Sequence, residues 1–125
     1  MSNQPDLTRS DVIKLIALAT KQLQLVGVNL NGVDLSYLNL TGADLTNARL
    51  INADLRHAIL SGAYITKANL SGADLTNAFL RWSHLCNTNL TNANLSGADL
   101  AEADLTGANL TGANLEGANL TDAKR

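Results

Sequence analysis

From Leu25 to Leu120 every fifth residue is leucine except Ile65, nineteen leucines in twenty positions. Two positions before each stands a small residue, alanine in most repeats from Ala43 to Ala78 and again from Ala93. The position between them is mostly Asp or Asn, as at Asp34, Asp44, Asp54, Asn69, Asp74 and Asn109. Thr or Ser commonly follows the leucine, and then Gly or Asn. A period of five fits neither regular element. On an α-helix it overshoots a full turn by about 140° and scatters the leucines around the axis. On a strand it sends alternate leucines to opposite faces. The chain must therefore turn once per repeat, with Gly or Asn supplying the turn. Leucine and alanine then both face inward, and each coil stacks on the next through backbone hydrogen bonds, the logic of a β-solenoid.

The phrases ADLTN (43–47), ANLSG (68–72) and ANLTG (108–112) resemble the A(D/N)LXX motif of the pentapeptide-repeat family, and the likeness runs from Leu25 to Leu120. The resemblance implies a right-handed quadrilateral β-helix with four repeats per coil. Twenty repeats then make about five coils, a rod about 24 Å long at roughly 4.8 Å per coil. The expected fold class is an all-β solenoid with an N-terminal capping α-helix.

That helix is expected from about Arg9 to Gln22. Thr8 and Asp11 have capping-box spacing, and Val12, Ile13, Leu15, Ile16, Leu18 and Ala19 form its apolar side. Val28, Val33 and Leu38 enlarge the inward slot of the first coil, as expected where a helix covers an open core. The chain divides into a capping segment (1–22), a repeat body (23–123) and a short tail (124–125).

Composition narrows the chemistry. Aromatics make up only 3% of the 125 residues, so the core is built of leucine and alanine. The net charge of −2 gives no strong field for nucleic acid or an anionic membrane. Charge is unevenly spread, however: Trp82 to Ala123 holds five acids and no Lys or Arg. Cys86 is the only cysteine, so no internal disulfide forms. The apolar run Val12–Ala19 contains Lys14 and is too short to span a bilayer; without a signal-peptide layout, the expectation is a soluble, cytoplasmic protein.

No catalytic grouping, cofactor motif or metal set is read. His84 and Cys86 flank Leu85 but have no further ligands beside them. The glycines follow the fivefold rhythm and not that of a phosphate-binding loop. In the four-sided register Asp34, Asp54 and Asp74 form a column, for which Arg56 is a counter-charge.

The informative departures are apolar. Ile59 and Phe79 replace Asp or Asn and lie twenty residues apart, so they should stack, as should Tyr64 and His84. Arg81 and Trp82 lie beside Phe79, and Ser83 and Thr88 replace inward alanines nearby. Exposed Phe, Trp, Tyr and Arg have the composition of a binding hot spot. The expected function is a non-catalytic interaction module or scaffold for an unidentified protein partner, bound through Ile59, Tyr64, Phe79, Arg81, Trp82 and His84. The family resemblance supplies the alternative, a DNA-mimicking binder of DNA gyrase or topoisomerase. It also implies a tail-to-tail homodimer, here through Leu115, Leu120 and Ala123, since no amphipathic segment follows Leu120.

Overall fold

The computed structural model describes residues 3–125. Its repeat body is a right-handed quadrilateral β-helix. Each side contributes one residue per coil to a parallel ladder, and partners lie twenty positions apart, from Gln24 with Asp44 to Asp104 with Lys124. Twenty corners carry positive φ, from Gly27 to Asp122, which at four per coil makes five coils.

Repeats of the inner coils are hydrogen-bonded upward, downward and within their own turns. The Leu50 N–H donates to the Asn69 carbonyl at 2.8 Å, and the Asn69 N–H donates back to Ala48 at 3.0 Å. Asn52 reaches Ser71 at 3.0 Å, and Ala53 closes the turn onto Leu50 at 3.0 Å. That turn needs φ > 0 at its third residue, which glycine or asparagine meets at least strain. The polar slot has its own task. The Asp or Asn carboxyl or amide oxygen accepts the N–H two residues on, as from Asp74 to Thr76 at 3.0 Å and from Asn114 to Glu116 at 3.0 Å. This locks the entry into each corner.

The inward leucines and Ile65 are buried from Leu25 to Leu105, with alanines filling the space between them. Ser83 and Thr88 are buried among them and donate to the carbonyls of Leu80 (2.7 Å) and Ile65 (2.8 Å), so neither hydroxyl is left unpaired. In the Asp34–Asp54–Asp74 column, Arg9 lies 3.2 Å from Asp34 and Arg56 lies 2.7 Å from Asp54.

Helix α1 spans Arg9–Leu18, capped by Thr8 and Asp11 in a reciprocal capping box. It stops four residues short of the expected Gln22. Ala19 turns extended, and the link from it must bring Leu23 to the core and Gln24 onto the ladder opposite Asp44. The apolar side is also narrower than expected. Val12 is buried and Ile16 half-buried, but Ile13, Leu15, Leu18 and Ala19 are exposed, Leu18 at 76%. Only the stripe one helical turn apart, Val12 to Ile16, can meet so small a coil.

The N-terminal segment also occupies hydrogen-bonding edges of the first coil. Asp6 exchanges bonds with the Asn29 backbone at 2.7 and 2.8 Å, and Arg9 donates to the carbonyls of Asp34 and Ser36, both at 3.0 Å. Of the 1–22 segment, residues 1 and 2 lie outside the described residues.

Candidate functional site

Four repeats per coil bring the apolar departures to one corner of the rod. Ile59 and Phe79 face each other across the ladder on one side. On the next side Tyr64 and His84 stack, with centroids 4.5 Å apart and planes 6° apart. Trp82 occupies the corner between these sides, and the Arg81 guanidinium lies 4.9 Å from its ring centroid. Phe79 is 48% exposed, Trp82 54% and Tyr64 42%, so this is surface and not core.

Two local rules of the repeat are broken here. Ile59, Tyr64 and Phe79 cannot accept the N–H two residues on. The N–H groups of Ser61, Thr66 and Arg81 accordingly find no acceptor among the described residues. Trp82 adopts φ 58°, a left-handed conformation that costs a non-glycine residue roughly 1–2 kcal/mol. The corner directly above it holds Gly62 in the same conformation. Tyr37, His57, Lys67, Glu102 and Asp122 hold the same left-handed conformation at other corners, so what sets this corner apart is a left-handed ring residue beside forfeited hydrogen bonds.

Below Trp82 and His84 lies a groove of about 440 Å³, lined also by Glu102, Asp104, Asp122 and Lys124. Asp104 accepts the Thr106 hydroxyl at 2.6 Å and its N–H at 3.0 Å. With a further bond from the Cys86 thiol, these hold its carboxyl down to about 2. The Cys86 thiol is pushed up, first by burial and then by the Asp104 carboxylate, which favours the protonated, unreactive form. Among the described residues no three His, Cys, Asp or Glu side chains form a group able to hold a metal ion. No helix among them is long and apolar enough to cross a membrane.

Sequence reading reached the aromatic residues because they interrupt a regular slot. It did not reach the groove: Glu102 and Asp122 occupy corner positions, and only the coil register sets them in a column beneath Trp82. A second stack, Tyr37 on His57 at 4.7 Å, was also missed, although its members are twenty residues apart. Leu115, Leu120 and Ala123 lie half-buried in the last coil described.

A family model described as pentapeptide repeats (8 copies) matches residues 24–62, 63–101 and 88–124. The chain belongs to the pentapeptide-repeat family. Among solved structures, this pentapeptide-repeat protein is similar to Rfr23 of the cyanobacterium Cyanothece 51142, at 34% identity over 94% of this chain and 95% of that one, with a TM-score of 0.74. A pentapeptide repeat protein of Nostoc Pcc 7120 is 32% identical over 94% of this chain and 99% of that one, with a TM-score of 0.76. One from the Arabidopsis thaliana thylakoid lumen is 36% identical over 75% of this chain, with a TM-score of 0.74; the alignment spans 66% of that protein, just under two thirds. No curated protein matches the chain.

Proposed function

We propose that this pentapeptide-repeat protein is a non-catalytic interaction module that binds a protein partner through the corner formed by Ile59, Phe79, Arg81, Trp82, Tyr64 and His84. The observation that carries this reading is the coincidence of exposure with local cost. Large rings stand in solvent where Asp, Asn or Gly would serve the fold better. Aromatic side chains with an adjacent arginine are the composition that anchors protein interfaces. The regular core supports the reading from beneath, since a rigid ladder holds these side chains with little ordering left for binding.

Capture of partners from host lysate, with wild type beside a Phe79→Asn/Trp82→Gly variant, tests it. A partner retained by the wild type and lost by the variant is the expected result. Equal retention by both would remove the corner from the function. We propose in addition that the last coil pairs with a second copy through Leu115, Leu120 and Ala123, supported by the half-exposure of its inward side chains.

A further inference from the structure

The groove beneath Trp82 is a small, ordered array. The corner column runs Trp82, Glu102, Asp122, and the ladder beside it runs His84, Asp104, Lys124. Successive rows lie about 4.8 Å apart. An indole therefore forms one wall, and carboxylates line the space below it. Three acids face one ammonium here. Asp122 has no ion-pair partner among the described residues, and Glu102 has only Arg81, at 3.4 Å. Asp104, held at about 2, keeps its negative charge at any physiological pH.

The protein itself shows which group suits such a wall. The Arg81 guanidinium lies 4.9 Å from the Trp82 ring while its Nη2 donates to Glu102. A planar, weakly hydrated cation can stack on an indole and present forked donors to carboxylates at the same time, which a lysine ammonium cannot. Arg81 does not line the groove, so the space beneath the indole is open to a second such group.

We propose that this groove receives the arginine side chain of a protein partner, with its guanidinium between the Trp82 indole and the carboxylates of Glu102, Asp104 and Asp122. The assignment rests on the reading of the corner as a protein-binding surface and names what the partner brings to it. Charge complementarity selects the occupant. A carboxylate or phosphate would meet three like charges, and an apolar side chain would bury Asp122 without a counter-charge.

The test is an NMR titration of the 125-residue protein with N-acetylarginine amide at low salt. N-acetylcitrulline amide serves as the neutral isostere and N-acetyllysine amide as the point charge. Saturable shifts of the Trp82 indole N–H and of the Glu102 and Asp104 amides are expected. The citrulline derivative should bind at least about fivefold more weakly and the lysine derivative should fall between the two. Asp122→Asn, an exposed change with no ion pair to break, should weaken the arginine probe several-fold. Trp82→Gly, read at the Glu102 amide, should do the same. Unsaturable shifts, shifts spread evenly over the protein's carboxylates, or equal responses to arginine and citrulline would overturn the assignment. An unchanged response in Asp122→Asn would also overturn it. The two readings can fail separately. If the probe does not bind but the Phe79→Asn/Trp82→Gly variant still loses a captured protein, the arginine assignment falls and the interaction surface stands. If the probe binds but that variant retains every partner, the corner is no protein-binding surface and the assignment falls with it.

Discussion

Asp104 serves two structures at once: it caps the turn into Thr106 and supplies one of the groove's charges. Its carboxyl sits at about 2 against an ordinary 3.8, chiefly through the Thr106 hydroxyl and N–H, with the Cys86 thiol adding to them. A depressed folded value means a stabilising contribution complete above 3.8 and lost as pH falls toward 2. Asp54 is lowered in the same direction, first by Arg56, and Asp34 first by Ser36. The melting temperature should therefore fall between about pH 4 and pH 2. Asp104→Asn keeps an oxygen for Thr106, as Asn119 does for Thr121 at 3.1 and 2.6 Å. It should melt below the wild type at neutral pH, where the ionised carboxylate contributes, and show a shallower acid fall that meets the wild type near pH 2, measured by calorimetry. An acid fall as steep as the wild type's would contradict this origin. At the corner the balance differs. Phe79→Asn restores an acceptor for the Arg81 N–H, worth about 1 kcal/mol, and Trp82→Gly relieves a left-handed backbone, roughly 1–2 kcal/mol. Lost are the cation–π contact with Arg81 and the Ile59–Phe79 pair, each up to about 1 kcal/mol. The double variant should therefore be at least about as stable as the wild type by denaturant titration. A loss of several kcal/mol would make the cluster structural.

The coil was legible in the sequence because four of its five positions answer to one physical demand each: leucine and alanine to burial, Asp or Asn to the corner N–H, glycine or asparagine to positive φ. Four sides per coil came from family resemblance, since the spacing alone sets only where the chain turns. Helix α1 was legible at its start, where Thr8 and Asp11 act within four residues, and misread at its end. No local residue stops it there; the link to Gln24 does, a tertiary demand that helical periodicity does not carry. The same holds for the exposed Ile13, Leu15 and Leu18, apolar residues for which the small coil has no room. What α1 and the chain before it do for the first coil is now specific. Val12 lies in the core, while Asp6 and Arg9 bond the ladder groups of Asn29, Asp34 and Ser36. Removing residues 1–22 would expose Leu25 and Val28 and leave those backbone groups to water. The truncated protein should lose a large part of its thermal stability or aggregate, measured by thermal melting and light scattering. A soluble truncation with an unchanged melting temperature would show that the segment does not stabilise the solenoid.

At the scale of the molecule the two ends are unlike. The first coil has side chains and backbone from the N-terminal segment on its edge, whereas the last has neither. Leu110, Leu115 and Leu120 are half-exposed, and their N–H groups, with those of Gly112 and Gly117, find no acceptor among the described residues. One coil earlier the Leu90 N–H reaches Asn109 at 2.9 Å and the Leu95 N–H reaches Asn114 at 2.7 Å. An edge that joins apolar surface to unpaired backbone is a template for association. Pairing of two identical ends about a two-fold axis closes that edge, whereas head-to-tail addition would leave it open at each step. Around the rim two acids, Glu116 and Asp122, are balanced by two bases, Lys124 and Arg125, so salt should change the pairing little. Contact over a single coil's cross-section is small beside the roughly 800 Å² per partner of a standard interface, so the dimer should dissociate at low concentration. Sedimentation velocity across a concentration series should show that shift for the 125-residue chain. Leu120→Glu, which sets a carboxylate at the apolar contact, should hold it monomeric at every concentration. A strict monomer at high concentration would exclude the pairing, and a dimer that survives Leu120→Glu would place the contact elsewhere.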